Sequence, residues 1–474
     1  MPGALPDPGL LQRFAAITGE RHALHDPADI APYLREPRGL HAGHAALVLR
    51  PGSVDEVSRI LALASASGTP VVPQGGNTGL VGGQVPDASG RAVVLSLSRL
   101  DRIRALDPAS DTVIAEAGVI LQRLREAAEA VDRLFPLSLA SQGSAQVGGL
   151  LSTNAGGTAV LAHGSMRALC LGLEVVLPTG ERLDDLRTLR KDNSGYDLSQ
   201  LFIGAEGTLG VITAAALTLA PRPRGVQVAW VAVPSPEAAL ALFALARRHA
   251  GQALTAFELV GETVLAFALA HVPGTTRPLD AGMPWSVLLE VSSPRSQEDA
   301  GGIVEALLAD GLQAGVLADA VLASSLAQGA AFWRLRESLS YAQRPEGVSI
   351  KHDIALPLAR IPEFIARGER LVASLAPGAR IACFGHVGDG NLHYNVSQPV
   401  GAAAEAFHAL REPLSAAVHA LVLELGGSIS AEHGIGQLKR AALAASASPV
   451  ALEAMRRIKA AFDPAGIMNP GKLL

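Results

Sequence analysis

The 474-residue sequence contains two cysteines, Cys170 and Cys383. Two thiols cannot build a disulfide framework and suit a reducing compartment, which excludes a cysteine-stapled secreted scaffold. Basic charge is not in excess. The formal net charge is −5, so the chain as a whole is no polyanion binder and no nucleic-acid partner is expected. No apolar run reaches the ~18 residues that a membrane-spanning helix needs. The first eight residues lack a basic stretch followed by an apolar one, so no signal peptide is expected. Internal repeats and low-complexity tracts are also missing. What is present is 49% hydrophobic residues against 18% charged, which excludes extended disorder and supports large buried cores. The 49 glycines and 30 prolines suit a fold with many turns rather than a helical bundle. At about 150 residues per domain, the length suggests roughly three units. A soluble, cytoplasmic, multidomain protein is expected.

Short strand-like and helix-like stretches alternate along the chain. Residues 45–50 read as a buried strand. Ser53 and Glu56 form a capping box, followed by Val57, Ile60, Leu61 and Ala64 at helical spacing, with Gly68 as the stop. Strands are predicted over 70–73, 92–97, 112–115 and 173–177, and a helix over 121–131. The prolines of residues 220–224 mark a break. Beyond it the spacing predicts helices over 236–249 and 297–310, a strand over 286–291, and one long helix over 402–425.

Glycine loops let a backbone approach a diphosphate closely and aim its amides at the oxygens. Pro73-Gln-Gly-Gly-Asn-Thr-Gly79 follows a strand, and Gln142-Gly-Ser-Ala-Gln-Val-Gly-Gly149 continues through Ser152-Thr-Asn-Ala-Gly-Gly157. A third loop is Gly204-Ala-Glu-Gly-Thr-Leu-Gly210. None is the dinucleotide fingerprint or the phosphate loop. Any one alone marks no more than a surface turn, but three together favour a nucleotide cofactor.

These three segments resemble the FAD domain of the vanillyl-alcohol oxidase, or PCMH-type, flavoproteins, as found in D-2-hydroxyacid dehydrogenases. The resemblance runs from about Pro51 to Lys472. It implies an α+β fold: a two-subdomain FAD-binding domain over 1–222 and a ferredoxin-like α/β substrate (cap) domain over 223–425. A C-terminal helical segment over 426–474 would return to the flavin. It also implies that Pro73, Gly75, Gly76, Asn77, Thr78 and Gly79 bind the pyrophosphate. Gly143, Ser144, Gly148, Asn154 and Gly157 would lie along the diphosphate and flavin. Glu206, Gly207, Gly210, Val211, Ile212 and Asn469 would complete the pocket. Covalently flavinylated relatives often carry a histidine in the first loop; Asn77 stands here, so noncovalent FAD is implied.

His386-Val-Gly-Asp-Gly-Asn-Leu-His393 carries a second signal. Asp389-Gly390 favours a two-residue hairpin turn, which would set His386 opposite His393 with Cβ atoms about 4.5–5.5 Å apart. Asn395 shares the His393 face. Two imidazoles so placed suit one metal ion, and Ala431-Glu-His-Gly434 offers either Glu432 or His433 as a third ligand. The resemblance, closest to D-2-hydroxyglutarate dehydrogenases, implies His386, His393 and Glu432 as ligands of Zn²⁺, with Mn²⁺ or Co²⁺ as alternatives. His433 is then the general base. Two histidines and one carboxylate leave open positions, as in catalytic sites.

Residues 333–340 read as helix, with Arg336 and Ser340 on one face, and Lys351 falls in a predicted strand over 348–353. On sequence alone such an arginine serves solubility or a weak surface pair. The resemblance implies that Arg336, Ser340 and Lys351 hold the distal carboxylate of a dicarboxylic substrate; in the mechanism expected from it, Asn395 would help orient the proximal one. The expected reaction is oxidation of D-2-hydroxyglutarate to 2-oxoglutarate by hydride transfer from C2 to flavin N5. D-lactate or glycolate oxidation is the near alternative. A metal hydrolase without flavin and a redox-silent binding protein are the remote ones. The electron acceptor would be an electron-transfer flavoprotein, a quinone or a cytochrome. A homodimer is expected from the prevalence of two-fold assemblies.

Overall fold

The computed structural model describes residues 5–280 and 282–474, so the first four residues of the stretch read for a leader lie outside it. The chain divides into two units. One comprises Met1–Gly157, Gly164–Arg222 and Glu432–Leu474; the other comprises Thr158–His163 and Pro223–Ala431.

In the first unit, a four-stranded sheet runs in the order Ala23–Leu24, Leu47–Leu49, Val93–Ser96, Val71–Gln74. The last three strands are parallel, which demands a crossover, and the helix Val54–Ser67 supplies one. Ser53 Oγ accepts from the Glu56 amide at 3.2 Å, as the sequence leads one to expect. Glu56 reaches one residue further back than a capping box requires and accepts from the Gly52 amide at 2.7 Å. Val57, Ile60, Leu61 and Ala64 are fully buried. Each of the larger three gains about 1.5–3 kcal/mol over exposure, and Gly68 ends the helix in the left-handed conformation.

A second, antiparallel sheet orders Ile103–Asp107, Thr112–Glu116, Val211–Thr218, Cys170–Val176 and Arg182–Asp184. The helices Arg440–Ser446 and Pro449–Phe462 belong to this unit. After them the tail returns to the first sheet: the Val71 amide donates to Ile467 O, and the Asn469 amide to Val71 O, both at 2.8 Å.

The second unit is built on an eight-stranded antiparallel sheet. Its path is Asp319–Leu322, Gly225–Val233, Trp285–Ser293, Leu254–Gly261, Arg380–Gly385, Asn391–Ser397, Ser349–Ile350, with Asp353–Ala355 also on Asn391–Ser397. Strand alternation sends Ala229, Val231 and Val233 to one core and Val228 and Trp230 to the other. The helices Pro236–Ala250 and Gln297–Gln313 fill the first core; Glu262–His271 and Leu326–Ser338 fill the second.

Four expectations need correction. The helix expected over 402–425 is two, Ala404–His408 and Arg411–Glu424, because Pro413 has no amide to continue the ladder and crowds the carbonyl four residues back. Residues 426–431 belong to the second unit rather than to the C-terminal segment: Ser428 pairs with Ala355, and the Ala431 amide donates to Asp353 O at 3.3 Å. The helix carrying Arg336 ends at Ser338, so Ser340 lies past it and is exposed. Finally, the two-residue hairpin is not formed. His393 pairs with Phe384, a short 3₁₀ turn occupies Val387–Asp389, and Gly390 closes it at φ 89°.

Candidate active site

In the first unit the glycine loops converge on one cleft. Of the residues expected there, Pro73, Gly75, Gly76, Asn77, Thr78, Gly79, Gly148, Glu206, Gly207, Gly210, Val211 and Ile212 line it, and so does His433. A Cβ on Gly76 would stand 1.8 Å from Ser144 O, and one on Gly148 would stand 2.7 Å from the Ala117 Cβ. Both positions therefore need glycine. Gly76→Ala is expected to cost about 1–3 kcal/mol of packing between the two loops. A fluorescence titration of the apoprotein should read this as a several-fold to 100-fold weaker Kd for FAD. An unchanged Kd would mean that the loops do not meet there.

Gly143, Ser144, Asn154, Gly157 and Asn469 do not line the cleft, though the last four are held close by specific contacts. The Ser144 carbonyl lies under Gly76, and a Cβ on Gly157 would meet Ser138 O at 2.3 Å. Asn154 Oδ1 accepts from Ser165 Oγ and the Arg167 amide, both at 2.9 Å. Asn469 Nδ2 donates to Gly83 O at 2.9 Å and Glu206 O at 2.7 Å. Asn77 is likewise held: its amide donates to Pro32 O and Arg35 O, and its Oδ1 accepts from Gln84 at 3.1 Å. Asn77, Asn154, Glu206 and Asn469 all adopt positive φ, between 44° and 53°, a cost that surrounding contacts must offset.

Glu206 does more than line the cleft. Its carboxylate accepts from the Ile435 and Gly436 amides, each at 2.7 Å, and so fixes the turn that carries His433. Burial outweighs those two hydrogen bonds and pushes the Glu206 carboxyl up. Gln146 was not foreseen from the sequence as a cofactor contact. It lines the cleft, and its buried Oε1 has no hydrogen-bond partner among the described residues. An unsatisfied acceptor beside a glycine cradle fits a cofactor that brings donors.

In the second unit the sheet register sets Lys351, Asn395 and His393 on one face. Ile350 pairs with Val396 and Asp353 with His393, so Lys351 comes opposite Asn395. Asn395 Oδ1 takes the His352 amide at 3.3 Å, and Lys351 Nζ donates to Ser340 O at 3.3 Å. The His386 and His393 rings stand 5.6 Å apart at 79°, although their strand register differs from the one expected. His386 Nδ1 lies 2.7 Å from Glu258 Oε1. Arg336, 4% exposed, donates to Glu258 Oε2 through Nε at 3.0 Å and Nη2 at 2.6 Å. Arg336 is thus no surface arginine. Burial alone would raise the Glu258 carboxyl, but His386 and Arg336 beside it hold it well below the usual range. Glu258 also went unforeseen, and a lone acid in the apolar run 254–261 was its only signal.

A carboxylate that receives Nδ1–H turns the lone pair of the imidazole to Nε2, the arrangement that metal-ligating histidines adopt. The donor set of His386 and His393 therefore fits a divalent ion. Glu432 opens the C-terminal segment of the first unit; Ala431, the residue before it, is hydrogen-bonded to Asp353, which faces His393. Cys170 and Cys383 take no part: both are free thiols, and burial pushes Cys170 up to about 12 and Cys383 higher still.

Known proteins resemble this chain along nearly its whole length. Residues 222–473 match the family of FAD linked oxidases, C-terminal domain, and residues 45–185 match the FAD binding domain. A mitochondrial D-2-hydroxyglutarate dehydrogenase of Arabidopsis thaliana is 36% identical over 461 residues, 97% of this chain and 80% of that protein. A putative mitochondrial D-lactate dehydrogenase of Schizosaccharomyces pombe is 37% identical over 478 residues, 98% of this chain and 89% of its own. The solved structure of p-cresol methylhydroxylase aligns with a TM-score of 0.77 at 18% identity, over 99% of this chain and 98% of that one, and shows the fold alone. The cytoplasmic location expected from the sequence is overturned, since these curated relatives are mitochondrial proteins. Sparse cysteine indicates a reducing environment, and the cytoplasm is not the only one. Among the described residues no helix is long and apolar enough to cross a membrane. The chain belongs to the FAD-linked oxidase family, in its branch of FAD-dependent hydroxyacid dehydrogenases.

Proposed function

We propose that the protein oxidises a D-2-hydroxy dicarboxylate, D-2-hydroxyglutarate in the first instance, to the 2-oxo acid, using noncovalent FAD and a divalent metal ion. The observation that carries this reading is the shared sheet face of the second unit. It presents Lys351, Asn395 and His393 together, with His386 and the buried Arg336 joined through Glu258.

The proposed ligands of the ion are His386, His393 and Glu432. When bound, the flavin supplies a hydride acceptor at N5 and the ion supplies Lewis acidity toward a chelating hydroxyl and carboxylate. His433 would take the hydroxyl proton at an imidazole nitrogen, and with the C2 hydride passed to the acceptor that FAD would supply, the product would be the 2-oxo acid. An imidazole titrates near neutral pH and suits that work. Asn395 orients the proximal carboxylate. Arg336 and Lys351 neutralise the distal one with charge-assisted hydrogen bonds, and Ser340, whose carbonyl accepts from Lys351 Nζ, adds a hydroxyl next to Lys351.

Initial rates with an artificial dye acceptor test the substrate class. The highest kcat/KM is expected for D-2-hydroxyglutarate, with D-lactate and glycolate well below it. A preference for D-lactate would move the protein to the alternative that the fission-yeast relative represents. Chelation should leave the protein yellow yet inactive, with activity restored by Zn²⁺. Full activity after the metal has been verifiably removed would eliminate the ion from the mechanism.

A further inference from the structure

We propose that Glu258 is a positioning residue that couples the metal ligand to the carboxylate-binding arginine, one oxygen fixing the His386 tautomer and the other fixing the Arg336 guanidinium. This rests on the reading that His386 binds a divalent ion. The sheet register makes the arrangement: Leu259 pairs with Gly385 and Val260 with Phe384, so Glu258 comes opposite His386 one step further on. The helix Leu326–Ser338 packs on the same face through Phe332 and Leu335, and it brings Arg336 in from above. The guanidinium also stacks on Phe384, with its Cζ 4.9 Å from the ring centroid, and Phe384 in turn lies 4.9 Å from the His393 ring.

Glu258 is 1% exposed, and an ionised carboxylate only accepts hydrogen bonds. Its contact with His386 Nδ1 therefore places the proton on Nδ1 and the lone pair on Nε2. Its contact with Arg336 uses the Nε and Nη2 donors alone. The Nη1 donors make no hydrogen bond among the described residues and are the ones that a substrate carboxylate would meet. Glu258 also cancels the charge of a guanidinium that burial would otherwise make costly. A single side chain thus sets the geometry of both ends of the substrate site.

Glu258→Gln keeps the shape but offers one acceptor to two donors. Either the amide nitrogen faces Arg336, donor against donor, or it faces His386 and moves the imidazole proton to Nε2. Titration of the metal-free protein with Zn²⁺ against a chromophoric chelator is expected to show Kd weakened about 10–100-fold. FAD content should be unchanged, since the FAD cleft lies in the other unit. Should E258Q fail to fold, the wild-type metal-free protein decides: in a long-range ¹H–¹⁵N histidine spectrum, the signal lost in His386→Gln should report the Nδ1–H tautomer. A wild-type Kd in folded E258Q, or an Nε2–H tautomer for His386, would overturn the proposal. Wild-type protein that takes up no Zn²⁺ would instead overturn the metal reading beneath it.

Discussion

His433→Ala is expected to slow flavin reduction by substrate by about 10²–10⁴-fold, the usual contribution of a positioned general base, with FAD still bound. The expectation rests on where the side chain lies. His433 lines the same cleft as the loops Pro73–Gly79 and Glu206–Ile212, on a turn that Glu206 holds through two backbone amides. Close packing requires glycine on both sides of the Glu206 contact: a Cβ on Gly434 would stand 2.9 Å from Glu206 Oε1, and one on Gly436 would stand 2.3 Å from Val81 O. Removing the imidazole leaves that turn intact, so FAD content and thermal stability should be close to wild type. Anaerobic stopped-flow reduction is the measurement. A rate within a factor of about three of wild type would remove His433 as the base.

Lys351→Ala is expected to lower kcat/KM for D-2-hydroxyglutarate by about 10–150-fold, mostly through KM, and to change D-lactate turnover little. A hydrogen bond to a charged group is worth about 1.5–3 kcal/mol, and D-lactate ends in a methyl at C3 and has no distal carboxylate. Lys351 lies between the strands Ser349–Ile350 and Asp353–Ala355, in the register opposite Asn395, where the proposed function needs the two ends of a short dicarboxylate to be read. Its charge matters the more because Glu258 already offsets that of Arg336. Equal losses with both substrates would mean that Lys351 supports the strand rather than reading the substrate.

The glycine loops and the capping signals were legible in the sequence because their physics is local. Gly68, Gly76 and the Ser53 cap each answer a constraint imposed within a few residues or by one neighbouring backbone. The approach of His386 to His393 was legible too, though by the wrong route. A tight Asp389-Gly390 turn would have placed them directly opposite, whereas the longer turn pairs His393 with Phe384 and still leaves the rings 5.6 Å apart. Pro413 warned that residues 402–425 would not form one helix, but the apolar spacing on either side of it masked the break. Glu258 was out of reach. Its partners lie 128 and 78 residues away, and only the strand order brings them together. Gln146 lies within the second glycine loop, but what singles it out, a buried oxygen with no partner among the described residues, shows only in the structure.

A flavin, a hydride step from C2 and a pocket for a second carboxylate are proposed to act together in this one chain. Anaerobic titration of the purified protein with D-2-hydroxyglutarate, followed by flavin absorbance, tests all three at once. Stoichiometric bleaching that is absent with the L-enantiomer and weak with D-lactate is the predicted result. A yellow protein bleached by D-lactate but not by D-2-hydroxyglutarate would contradict it.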